Sequence, residues 1–121
     1  MRSFLRLAGA GVMIVLLGLM LAPGGTIEAE GIIWDKAAHY IAFGLILWSV
    51  GVLFRRLPRL GAAALAVAIG AAVEVVQAFV GRDPSWGDLL ADTLGVGTAL
   101  ALWVVWRRAR PREAFQASIT R

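Results

Sequence analysis

The chain has no cysteine, a single lysine, a single histidine and a single tyrosine, and only eight acidic residues among 121. Without cysteine there can be no disulfide and no thiolate metal site, and the sequence carries no mark of redox compartment. Charged residues make up 17% of the chain and hydrophobic ones 60%, against about 45 to 50% apolar residues in an ordinary soluble domain. With a mean hydropathy of +0.77, the composition points to a membrane protein.

What is present is four apolar stretches, at about 4–22, 36–54, 60–80 and 89–106. Each is near the roughly 20 residues that cross a hydrocarbon core of about 30 Å. The expected fold is all-α, a polytopic membrane protein built as a four-transmembrane-helix bundle in one domain over 1–121, with a basic tail over 107–121. The first stretch, behind Arg2 and Arg6, also resembles a secretory signal peptide. It lacks a convincing A-x-A site after Ala22 and is long enough to span, so it is read as a retained helix.

The isoelectric point of about 11.1 does not indicate nucleic acid, because the basic residues sit in short loops and at the ends. Ten of the twelve, Arg2, Arg6, Arg55, Arg56, Arg59, Arg107, Arg108, Arg110, Arg112 and Arg121, fall on one side of the four spans, and only Lys36 and Arg82 on the other. Short loops rich in Lys and Arg stay cytoplasmic, so both termini are expected there. Trp34 and Trp86 then lie near the outer interface, and Trp103 and Trp106 near the inner one.

The remaining polar groups gather on the outer half. Asp35, Lys36 and His39 open the second span, Glu74 and Gln77 approach the end of the third, and Arg82, Asp83, Asp88 and Asp92 follow in the next loop and the fourth span. Residues three or four apart share a helix face, so Asp35 with His39, Glu74 with Gln77, and Asp88 with Asp92 each form one polar stripe. Glu74 stands out, about 10 Å along the helix from Gly81 and too deep for a short acid to reach the surface. An intramembrane acid costs about 2.5 to 3.5 kcal/mol on the insertion scale and normally faces a partner, here His39 or Lys36. The Gly and Ala of "GAAALAVAIGAAVEVV", with Gly95 and Gly97, let backbones approach closely, which would enclose the site.

"DKAAHYIAFG" followed by "EVVQAFVGRDPSWGDLLADTLGVG" resembles the VanZ-like family of small bacterial integral membrane proteins. The matching positions are Asp35, Lys36, His39 and Phe43, then Glu74 and Gln77, then Arg82, Ser85, Asp88 and Gly95. The resemblance spans about 34–100. Asp92 stands where that pattern usually has Asn, which adds a negative charge beside Asp88 or invites a cation. The resemblance implies a multi-pass protein of the bacterial cytoplasmic (inner) membrane and a link to teicoplanin-type glycopeptide resistance. It implies no defined reaction.

Structural roles compete with functional ones at each position. Asp35 and Lys36 also suit a helix N-terminal turn, Arg82 with Asp88 a loop-pinning pair, His39 a satisfied interior histidine, and Ser85 a helix N-cap. Three functions fit the residues. In the first, an outward pocket of Asp35, Lys36, His39, Glu74, Gln77, Arg82, Asp88 and Asp92 binds membrane lipids, a lipid-linked envelope precursor or a glycopeptide-type ligand, Lys36 and Arg82 meeting phosphate. In the second, His39, Glu74 and Asp35 are catalytic groups of a hydrolase of lipid-linked substrates, with the acids and His39 as ligands in a metal-dependent version. No recognised nucleophile motif supports it, since Ser85 lacks a G-x-S-x-G context. In the third, Glu74 and His39 relay a proton in a small carrier, but the inner halves offer only Ser49 and Thr98. The first reading is preferred, with no cofactor, no resident metal and no nucleic-acid partner expected. Association into a homo-oligomer is left open by the sequence.

Overall fold

The computed structural model describes residues 1–22, 32–81 and 83–109, with backbone alone for 32–35. Four helices follow one another: α1 (Arg2–Leu21), α2 (Ile32–Leu53), α3 (Arg59–Phe79) and α4 (Trp86–Ala109). There is no strand among the described residues. All four helices are long and apolar enough to cross a membrane.

Every boundary lies within four residues of the sequence expectation, and the starts of α2 and α4 and the end of α4 differ most. Helix α2 starts four residues before Lys36, because Ile32, Ile33 and Trp34 contain no breaker and continue the helix that hydropathy alone would cut at the charged residues. Helix α4 starts at Trp86 rather than 89, directly after Pro84-Ser85. The Ser85 carbonyl accepts from the amides of Asp88 (3.1 Å) and Leu89 (3.2 Å), which places Ser85 at the N-cap position expected for it. Asp88 thereby falls in the first turn, and Arg107 and Arg108 in the last, both favourable for the helix dipole.

The inward faces follow helical periodicity. On α2 the buried residues with described side chains are His39, Ala42, Phe43, Ile46, Leu47, Ser49 and Val50; on α4 they are Asp88, Ala91, Asp92, Gly95 and Val96. Both sets repeat at the three- and four-residue spacing of a single helix face. On α3 the stripe is made of small residues at four-residue steps, Ala62, Ala66 and Gly70, and ends in Glu74. Side chains left outside the bundle, such as Ile14, Leu60, Phe79 and Leu102, are apolar and largely exposed, as suits helices whose outer faces meet lipid rather than water.

Helix α2 is central: it packs most extensively against α4, and also against α1 and α3. Helices α2 and α4 run parallel. Tyr40 donates to Thr98 Oγ1 at 2.7 Å, and the Tyr40 carbonyl lies so close to Gly95 that a Cβ there would collide with it. The Gly95 carbonyl in turn lies 3.6 Å from the position of a Cβ on Gly44. This mutual backbone approach is what glycine in a membrane helix interface permits. At the opposite end of the bundle, the Trp103 ring is flanked by the guanidinium groups of Arg59 (4.4 Å) and Arg107 (5.3 Å). The start of α3 and the end of α4 therefore share one basic level, and the polar residues of α2, α3 and α4 share the other.

Candidate functional site

The parallel run of α2 and α4 brings their first turns side by side, and α3, running the other way, delivers its last turns to the same level. His39 Nδ1 lies 2.8 Å from Asp92 Oδ1, with the His39 side chain 4% exposed and that of Asp92 0%. The His39 ring lies parallel to Phe43, 7° between planes and 6.5 Å between centroids. The Asp92 carboxylate rests against α3 where Gly70 leaves room: a Cβ on Gly70 would stand 3.0 Å from Asp92 Oδ2 and 3.1 Å from Phe43 Cε1. The small-residue stripe of α3 thus leads up to the acid pair and makes space for it.

Glu74 closes the third side. The turn between α3 and α4 folds back so that the Ser85 amide donates to Glu74 Oε2 at 2.8 Å. The other oxygen, Oε1, is buried and has no hydrogen-bond partner among the described residues. His39, Glu74 and Asp92 each present one ligand atom within 4.8 Å of the other two, and all three residues are buried. The sequence named His39 or Lys36 as the partner of Glu74. His39 lies in the cluster with it, whereas Lys36 is committed elsewhere.

Lys36 donates to Asp88 Oδ1 at 3.0 Å, with side-chain exposures of 39% and 11%. Its ammonium reaches α4 by passing over Gly87, where a Cβ would stand 2.5 Å from Nζ. The lysine neither simply snorkels nor points to the centre; it forms a rim across α2 and α4. Gln77 turns away from this group, its Nε2 donating to the Met20 carbonyl of α1 at 2.9 Å. It ties α1 to α3 at the level of the site. Asp83 is exposed. The side chain of Asp35 and the whole of Arg82 lie outside the described residues.

Beside Glu74, between the end of α3 and the start of α4, runs an apolar groove of about 430 Å³. Ala71, Val75, Ala78, Phe79 and Trp86 wall it, and Glu74 and Ser85 are among its lining. Sequence reasoning did not find it: the groove exists because Ala71 and Ala78 are small where Phe79 and Trp86 are large, and that contrast is visible only once the two helices are juxtaposed.

Chemically, the arrangement joins a buried acceptor-rich centre to an apolar groove. The carboxylates of Glu74 and Asp92 can receive hydroxyl or ammonium donors, or a cation. The His39–Asp92 couple also has the geometry of a base held by an orienting acid.

The pattern of the VanZ/LLP1 family matches residues 5–107. Neither a curated protein nor a solved structure matches the chain. The match takes in all four helices almost end to end, including every described polar residue of the site, and with four membrane-crossing helices it makes this a multi-pass membrane protein. The chain belongs to the VanZ/LLP1 family.

Proposed function

We propose that the protein binds a membrane lipid or lipid-linked envelope precursor at the outer face of the bacterial cytoplasmic membrane, its apolar chain in the groove and its headgroup against the buried polar cluster. The observation that carries this reading is the contact between the two: Glu74 is at once a wall of the groove and a member of the cluster with His39 and Asp92. Ligand sites are mostly apolar with a few placed polar groups that fix orientation, and this one has the form of a site for an amphiphile.

The orientation rests on charge. Among the described residues, Arg2, Arg6, Arg55, Arg56, Arg59, Arg107 and Arg108 lie at the loop and termini opposite the cluster. Arginines in that position hold both termini in the cytoplasm and leave the cluster outside. Acids outnumber the described cations at the site, with Glu74, Asp88 and Asp92 facing Lys36, so the cluster suits the hydroxyl or amine donors of a headgroup. The rim lysine, with Arg82 as expected from the sequence, suits its phosphate. Binding of an envelope precursor here would connect the chain to glycopeptide susceptibility, the role its family resemblance implies.

The test fills the groove without touching the cluster. Ala78→Trp places a large ring where Ala78 lines the channel; the full chain purified in mild detergent should then keep its helical content and lose most of the lipid that the unaltered protein retains, read by lipid mass spectrometry. In a host whose teicoplanin susceptibility the intact gene changes, the variant should abolish the change. Equal lipid retention by the two proteins would refute the groove as the chain's seat.

A further inference from the structure

Glu74 and Asp92 are two carboxylates buried in the bundle, 8% and 0% exposed, and His39 beside them is 3% exposed. Their ligand atoms all lie within 4.8 Å of one another. Two buried carboxylates at this spacing repel unless positive charge is shared between them, and isolated charge at such depth is costly. His39, 2.8 Å from Asp92, offers one such charge when protonated, whereas the Lys36 ammonium is bound to Asp88 at the rim. Glu74 adds an independent sign. Its Oε2 is held by the Ser85 amide at 2.8 Å, which fixes the carboxylate, while Oε1 is left buried with no hydrogen-bond partner among the described residues. Native structures rarely leave a buried acceptor so, and an ion is one of the few things that explains it.

We propose that His39, Glu74 and Asp92 hold one divalent transition-metal ion of the zinc or manganese class. One imidazole nitrogen and two carboxylate oxygens form a mixed donor set that suits these ions better than magnesium or calcium, which favour oxygen alone. Three protein ligands leave a coordination position for water or for an oxygen of a bound molecule. Around an ion with bonds of about 2.0 to 2.2 Å, ligand atoms stand roughly 3 to 3.5 Å apart. A pair at the 4.8 Å limit would close by about 1.3 to 1.8 Å, within reach of side-chain rotation. Gly70 keeps the space beside Asp92 Oδ2 open. The sequence assigned no resident metal and left the metal content open; burial and the three-way approach argue for one. The site stands on these three residues and does not depend on a lipid entering the groove.

The single histidine of the chain makes the test direct. The full-length protein, carried on a tag without histidine and labelled with 15N-histidine, is stripped with chelator in detergent and titrated separately with Zn2+ and Mn2+. One ion per chain should bind by calorimetry and elemental analysis. The His39 ring resonances should shift with Zn2+ and broaden with Mn2+. Glu74→Gln, which keeps an oxygen for the Ser85 amide, should weaken binding by more than about 10-fold, since even outer-shell changes at metal sites cost 10 to 100-fold. Leu90→Ala, at an exposed position outside the site, should leave the stoichiometry and affinity unchanged. Absence of a bound ion, unmoved His39 resonances, or unchanged affinity in Glu74→Gln would each overturn the assignment. The lipid retained by the protein reads the groove separately, so either reading can fail alone.

Discussion

Gly95→Ala should lower the stability of the detergent-solubilised protein by about 1 to 3 kcal/mol or more, the range for forcing an extra methyl into a packed interface. The reason is geometric. A Cβ at position 95 would collide with the Tyr40 carbonyl oxygen and press on the carbonyl carbon (2.9 Å) and Cα (3.1 Å) of the same residue. These are backbone atoms of a helix, which cannot rotate aside as a side chain can. Helices α2 and α4 would have to separate, and the pairs Lys36–Asp88, His39–Asp92 and Tyr40–Thr98 all bridge these two helices. The matched control lies two residues along: nothing stands within 4 Å of a Cβ on Gly97. There alanine should be neutral or stabilise by up to about 1 kcal/mol, because glycine is the poorer residue in a helix interior. Thermal or denaturant unfolding followed by circular dichroism separates the two; equal effects would mean that the α2–α4 approach is looser than described.

Asp92→Ala, measured with chelator present, should cost about 2 to 4 kcal/mol. That lies between the penalty for orphaning a buried polar group and that for orphaning a buried charge. His39 would lose the acceptor 2.8 Å from its Nδ1, and the fully buried carboxylate would leave a void between α3 and α4. Asp92→Asn keeps the shape and a group able to hydrogen-bond His39, so its cost should stay within about 1 kcal/mol. The difference isolates the hydrogen bond from the charge. Similar unfolding of both variants would show that the negative charge itself holds His39.

The sequence carried the fold further than the contacts. Four spans, one polar stripe on each of the last three and one acidic level were legible because apolar length and three-to-four periodicity are properties of each segment alone. Which stripe meets which is not. Lys36 could equally have snorkelled or reached inward; its pairing with Asp88 follows from the parallel register of α2 and α4, which no local pattern encodes. Gln77, in the same stripe as Glu74, reaches a backbone carbonyl of α1, and a backbone acceptor leaves no mark in the sequence. The same holds for the Ser85 amide on Glu74. Gly95 was readable as a close-packing residue, while Gly70 was readable as small but not as the cradle of Asp92.

The most direct measurement is photo-crosslinking in intact membranes, with a small aliphatic diazirine residue, which lacks the ring that would fill the groove, at Ala78 and, as control, at Leu90, which is 60% exposed near the start of α4. Both positions lie near the same level of the bilayer, so bulk lipid is common to both. If the groove and the His39–Glu74–Asp92 cluster select a ligand, the lipid adducts at Ala78 will be enriched in one headgroup class relative to those at Leu90. Identical adduct composition at the two positions would contradict a selective lipid site.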